Sequence, residues 1–200
     1  YIPLMQEHDI PDWYVKSCEK IKYMFPKAHA AAYVTNAFRI AWFKVHIPLA
    51  YYAAYYSIRA KAFDAEVMIN GKEKVKNKMK EIEMMGNNAT PKDKDMYDDL
   101  EIVLEMYERG FRFLPVDLYK SHATKFKVEG EALRPPLNSI AGLGTVAAEG
   151  IQRAREKGGE FMSIDDLKIR AKVGDSVTEL LKQFRCLEGM SQSNQMSLFG

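Results

Sequence analysis

The chain has 200 residues, 47% of them hydrophobic, with 29 Lys and Arg against 27 Asp and Glu for a net charge of +2. That length permits a buried core in either one large domain or two small ones, and a charge so near neutral removes bulk electrostatics as an argument about nucleic acid. No apolar run approaches the roughly 20 residues that cross a bilayer, and the start lacks the basic, apolar and small-residue order of a secretion signal, so no membrane is expected and the reading is a cytoplasmic protein.

The charges are segregated. No Asp or Glu occurs between Lys20 and Phe63, a run that carries Lys22, Lys27, Arg39, Lys44, Arg59 and Lys61, whereas Asp93, Asp95, Asp98, Asp99, Glu101, Glu105 and Glu108 crowd a later one. Cys18 and Cys186 have no His or Cys at metal-ligand spacing and read as reduced thiols. The chain opens Tyr1-Ile2-Pro3 and reads as a piece of something longer.

Asp12 after Pro11 caps a first helix whose apolar positions Tyr14, Val15, Cys18, Ile21 and Met24 recur at helical spacing to about Phe25. Pro26 suits the opening turn of a second helix running to about Val45, and Pro48 stops it. A third, from Leu49 to Arg59, is dense in Tyr and Ala and is assigned to packing. A mixed-charge helix from Lys72 to Met85 and an acidic helix over about 93 to 109 flank the turn cluster Gly86 to Pro91. The acidic helix is expected to present a solvated face.

After Gly110, Phe111 to Pro115 and Thr124 to Val128 alternate as strands do, with Glu129-Gly130-Glu131 as a hairpin turn into Ala132-Leu133-Arg134. Short helices follow from Pro135, separated at Gly142 to Gly144, Lys157 to Gly159 and Val173 to Asp175, and the final ten residues read as a flexible tail.

On a helical wheel the second helix puts Ala31, Val34, Phe38, Ala41, Trp42 and Val45 on one side, expected to be core. The opposite stripe holds His29, Tyr33, Asn36, Ile40 and, at its edge, Lys44, with no carboxylate, so an anion or an aromatic group fits there. Lys27 stands in the first turn, where the helix dipole and an ammonium together favour phosphate. On spacing alone, such a stripe is more often a packing face than a binding one.

Ile140-Ala141-Gly142-Leu143-Gly144-Thr145-Val146 has the form of a helix-hairpin-helix. Two glycines around one apolar residue turn the backbone tightly, and the next helix starts with free N–H groups for a DNA phosphate. Thr145 stands where a basic residue is usual, so the grip is mostly through backbone. Lys172-Val173-Gly174-Asp175 is a candidate degenerate second copy. At the end, Gln195-Met196-Ser197-Leu198-Phe199 places large apolar side chains in a polar segment, which suits insertion into a partner's groove. His8, His46 and His122 carry no metal or catalytic spacing.

The string Phe25-Pro26-Lys27-Ala28-His29-Ala30-Ala31-Ala32-Tyr33, followed by Arg39 to His46 and by Tyr51-Tyr52-Ala53-Ala54, resembles the fingers of C-family DNA polymerases, and most closely the PolC branch. The last pentapeptide resembles the sliding-clamp motif of bacterial polymerases, with Met196 where Leu is usual.

The resemblance implies a mainly α fold: a fingers domain over 1–110, a small β segment over 111–134, a helix-hairpin-helix duplex-binding domain over 135–190 and a clamp-binding tail over 191–200. It implies that Lys27 and His29 lie towards the phosphates of a dNTP and Tyr33 towards its base or sugar, with Asn36 a further nucleotide-binding residue. Gly142, Leu143, Gly144, Thr145 and Val146 would meet primer-template DNA, and Gln195 to Phe199 the clamp. Other replisome subunits are expected partners. The reaction implied is template-directed nucleotide addition with two Mg2+ ions, whose carboxylate ligands would lie in a palm upstream of Tyr1. No catalytic or metal-binding residue is expected within these 200, and alone they should not polymerise. A non-catalytic DNA-binding module and a structural adaptor are the alternatives from other classes.

Overall fold

The structure is a computed structural model that describes residues 1–20 and 27–193. The end of the first predicted helix, Ile21 to Phe25, the predicted opening Pro26 and the whole peptide Gln195 to Phe199 lie outside the described residues. The fold is mainly α, with ten helices and one three-stranded sheet among the described residues. The chain divides into two compact units, Tyr1–Trp42 and Phe43–Gly200.

The first unit holds α1 (Ile2–Glu7), α2 (Asp12–Lys20) and most of α3 (Lys27–His46). Helix α1 has Pro in its first turn but only six residues, too few to show a period in sequence. Asp12 opens α2 as predicted, and Val15 is its buried residue.

Helix α3 spans the predicted range, but its expected core side is not core. Val34, Phe38, Trp42 and Val45 are all more than half exposed. Apolar residues such as Ile40 and Phe43 also stand on its other sides, so the helix has no single polar face that could orient the opposite one inward.

In the second unit Pro48 does not merely stop α3; it starts α4 (Pro48–Ile58), where a missing N–H costs nothing. Tyr52 and Tyr56 of α4 are buried, in line with their assignment to packing. They meet α6 (Lys72–Met85) and α7 (Pro91–Glu108) in one core with Met68, Val75, Leu100 and Met106. Thr90 and Asp93 form a reciprocal capping box that starts α7 two residues earlier than expected. The single-turn α5 (Ala65–Met68) was not anticipated; its signal was Asp64, whose carboxylate accepts from Glu66 N at 2.9 Å.

Helix α7 presents Asp98, Glu101 and Glu108 to solvent as expected, but Asp99 and Glu105 are engaged within the fold. Asp99 is buried and accepts from Lys61 N at 3.0 Å, Ala62 N at 2.9 Å and Tyr55 Oη at 3.2 Å. Burial raises its pKa against these hydrogen bonds, which lower it. Glu105 receives Lys44 Nζ at 2.6 Å and Tyr52 Oη at 3.0 Å. Two of the acids therefore fasten α7 to α4 and to the end of α3.

The sheet has the order β1 (Arg112–Phe113), β3 (Ala132–Arg134), β2 (Lys127–Glu129), with β2 and β3 antiparallel about Gly130 as predicted and β1 parallel to β3. Phe113 and Leu133 of the sheet, with Phe126 just before β2, enter the core built by α4, α6 and α7. Arg134, buried, donates to both Glu129 carboxylate oxygens at 2.7 Å and to Pro115 O at 2.7 Å.

A second core joins Val116, Leu118 and Leu137 to α8 (Thr145–Gly158), α9 (Ile164–Ala171) and α10 (Asp175–Gln183). Here an added Cβ at Gly150 of α8 would lie 2.6 Å from Ala171 O, so only glycine admits this approach of α8 to α9. Beyond α10 the chain returns: Ile164 N donates to Ser191 O at 3.0 Å and Asp165 N to Gln192 O at 3.1 Å, tying residues 191–192 to the start of α9.

The Tyr56 hydroxyl is buried and finds no hydrogen-bond partner among the described residues. Removing an unsatisfied buried hydroxyl is worth about 1 kcal/mol or more, so Tyr56→Phe should raise the melting temperature by roughly 2–4 °C. Thermal unfolding of the two chains checks this.

Candidate nucleic-acid interface

The first hairpin grows from a single 3₁₀ turn, Leu137–Ser139, rather than from the full helix expected before it. Leu143 N closes the next turn on Ile140 O at 3.0 Å. Gly142 sits at φ +89, a region that L side chains rarely adopt, and its position faces Leu180 closely enough that an added Cβ would stand 3.2 Å from it. Leu143 points inward and is buried, so it anchors the turn, while Gly142, Gly144, Thr145 and Val146 remain exposed.

Gly144 differs from Gly142. It is the N-cap of α8 at φ −68 and ψ 158, an ordinary extended conformation, with nothing within 4 Å of an added Cβ. No side chain caps α8, so its first N–H groups carry the positive end of the helix dipole towards an uncluttered surface. Asn138 Nδ2, 3.4 Å from Thr145 Oγ1, buttresses the edge of this opening.

Residues 172–175 repeat the arrangement between two true helices. Lys172 takes the left-handed conformation at φ +56, Val173 is buried as Leu143 is, and Gly174 is the uncapped N-cap of α10. The candidate second copy is therefore present as geometry. Its electrostatics differ, because Asp175 opens α10 where Thr145 opens α8, and pairs with Lys168 Nζ at 2.5 Å. That hydrogen bond, with the lysine charge, holds the Asp175 carboxyl below the usual range.

In the other unit, α3 brings the His29 and Tyr33 rings together with centroids 4.4 Å apart. Tyr33 is 67% exposed, and Asn36 follows one turn on, also exposed. Lys27 is the first described residue of α3. Lys44, which the wheel placed at the edge of this stripe, is already neutralised by Glu105 and lies 5.3 Å from the Tyr51 ring centre. The anion and the aromatic group that its position invited are both supplied by the chain itself.

Sequence reasoning missed the loop that leans on the first hairpin. Ala123 N donates to Gln152 Oε1 of α8 at 2.6 Å, and Arg155 of α8 donates to Leu118 O and Ser121 O. His122, read as bland, accepts Thr124 N at 3.0 Å and Lys125 N at 3.1 Å through Nδ1, which shapes the loop. The available signal was a second acid-free run, Leu118 to Val128, carrying three lysines.

The two hairpin glycines separate in a stability measurement. Gly142→Ala forces a left-handed alanine against Leu180 and should cost about 1 kcal/mol or more, whereas Gly144→Ser, at an ordinary extended N-cap, should lie within about 0.5 kcal/mol of the parent. Equal losses in urea denaturation would contradict the conformations described.

A family model described as a helix-hairpin-helix motif matches residues 110–196. The chain is 54% identical over 195 residues to "DNA polymerase III PolC-type" of Caldanaerobacter subterraneus subsp. tengcongensis, covering 98% of this chain and 14% of that protein. It is 54% identical over 199 residues to the protein of the same name from Oceanobacillus iheyensis, covering 100% and 14%. The Bacillus subtilis protein of that name is 53% identical over 195 residues, again 98% of this chain and 14% of the relative. The chain thus spans about one seventh of these relatives, and over nearly its whole length it is a PolC-type DNA polymerase III segment carrying a helix-hairpin-helix motif.

Proposed function

We propose that this chain is the C-terminal part of a DNA-directed DNA polymerase and that its hairpin at Gly142 to Val146 holds the backbone of duplex primer-template DNA. The observation that carries the reading is Gly144, a glycine that neither backbone conformation nor packing requires, at the uncapped start of α8. A side chain there would stand between the helix N–H groups and an approaching phosphate. The second hairpin has the same turn with a carboxylate at its opening, so it is the weaker of the two towards phosphate.

In this reading α3 belongs to the fingers. Lys27 and His29 serve the phosphates of the incoming dNTP, and Tyr33 and Asn36 its base or sugar; an exposed aromatic offers a face to any base. Gln195 to Phe199 bind the sliding clamp, and further replisome subunits meet the full-length enzyme. The two divalent ions of nucleotidyl transfer, Mg2+ in this reading, belong to a palm outside these residues, and their chemistry is stabilisation of the attacking and leaving oxygens. Among the described residues no group of three or more His, Cys, Asp or Glu is placed to hold a metal ion, and no helix is long and apolar enough to cross a membrane.

Gly144→Ser tests the duplex reading. Serine caps helices well, so its hydroxyl would take up the N–H of Val146 or Ala147 and leave stability unchanged or a few tenths of a kcal/mol higher. Affinity for two unrelated duplexes at matched salt should fall for both alike, since backbone contacts carry no sequence information. Undiminished affinity in a stable variant would remove the hairpin from the DNA path.

For the tail, Leu198→Ala with Phe199→Ala should abolish detectable binding of the chain to a purified bacterial clamp. Each buried side chain of this kind is worth roughly 1.5–3 kcal/mol, and a pentapeptide has few other anchors. Equal affinities of variant and parent would mean that the clamp is held elsewhere.

A further inference from the structure

Lys120, Lys125 and Lys127 are all exposed, and among the described residues none has a carboxylate within ion-pair distance. The neighbouring acids have closer partners, and Lys120 and Lys127 act on the Glu129 carboxyl only through space. Asp117 accepts Tyr119 N and Lys120 N, both at 2.8 Å; Glu129 is taken by Arg134; Glu156 accepts Gln152 Nε2 at 2.7 Å. Glu131 is exposed, and Glu156 and Glu160 line one shallow opening with Lys127, without forming an ion pair with it. Crowding of positive charge is felt locally: burial first, then Lys125, Lys127 and Arg155, push the His122 pKa down.

The lysines do not hang from a loose loop. Leu137 N donates to His122 O at 2.9 Å and Asn138 N to Ala123 O at 3.1 Å, so the loop is bonded to the turn that leads into the hairpin. Gln152, which holds Ala123, stands seven residues after Thr145 on α8, two turns along one helix face. That separation is about 10 Å at 1.5 Å per residue, which on one strand of duplex is the axial span of about three phosphates at 3.4 Å each.

We propose that the loop over residues 119–127 is a second contact with the backbone of duplex DNA, made by Lys120, Lys125 and Lys127 on the same strand path as the hairpin at Gly144. The inference rests on the reading of that hairpin as a duplex-binding element. Its chemistry is charge neutralisation without base readout: each ammonium displaces condensed counterions from a phosphate. The loop and hairpin, bonded into one body, would present ammonium groups and helix N–H donors at fixed spacing.

The test titrates a labelled duplex with this chain at salt from 50 to 200 mM, comparing the parent, Gly144→Ser, and a triple variant with Lys120→Gln, Lys125→Gln and Lys127→Gln. The slope of log affinity against log salt should become shallower by about 0.9 for each phosphate contact removed, and the triple Lys→Arg variant should keep the parent's slope. Because Lys127 Nζ also donates to Lys120 O at 3.3 Å, Lys125→Gln alone guards against misfolding and should lower the slope by about 0.9. An unchanged slope in the Gln variants beside weakened binding by Gly144→Ser would overturn the proposal and leave the hairpin reading standing. Parent-like binding by all variants would sink both. A loss confined to single-stranded DNA would also overturn it.

Discussion

Phe63 joins the two cores of the larger unit, and much else depends on that contact. Its ring lies 5.3 Å from Tyr56, 4.8 Å from Phe126 and 5.5 Å from Phe113, centroid to centroid, and it packs against residues of both hydrophobic clusters. Helix α4, the sheet and the base of the helix-hairpin-helix region therefore share one aromatic knot. Rings of this kind carry large buried areas with preferred tilted geometries, so the knot specifies orientation as well as cohesion. The unpartnered Tyr56 hydroxyl sits within it, a local cost tolerated by an otherwise apolar cluster.

Around this knot the chain divides its cations by kind. Arg134, Arg155 and Arg170 are buried or half-buried and spend their guanidinium donors on backbone carbonyls: Pro115; Leu118 and Ser121; Ala154, Gly159 and Glu160. A planar fork with five donors can close several loop carbonyls at once, and it stays charged when desolvated. Lysines stand outside, on the loop over 119–127 and at Lys172, where a flexible ammonium keeps its hydration until an anion arrives. These three arginines are structural cations and the loop lysines are solvent-facing ones, and a count of net charge cannot distinguish the two uses.

Much of this was legible in the sequence. Prolines and glycines marked the boundaries of α3, α4, α8 and the β-hairpin to within a residue or two, because their backbone limits act locally. The hairpin at Gly142 was legible for the same reason, and its copy at Lys172 was half-visible, since a lysine at positive φ gives no compositional sign. What stayed hidden was tertiary. Asp99 looked like one more solvated acid because nothing in its neighbourhood reveals that Lys61 N and Ala62 N need an acceptor. The apolar side of α3 looked like core because periodicity reports that a face is apolar, not that anything covers it. The lysine loop was written plainly as an acid-free run, yet its place beside the hairpin depends on Gln152 and Arg155, some thirty residues later.

The bonds from Ile164 and Asp165 to residues 191 and 192 set a leash. Only Ser193 and Asn194 separate Gln192 from Gln195, and three residues, even fully extended, reach about 10 Å. Under the proposed reading, a partner that gripped Gln195 would be held beside the start of α9 and not at the end of a long tether.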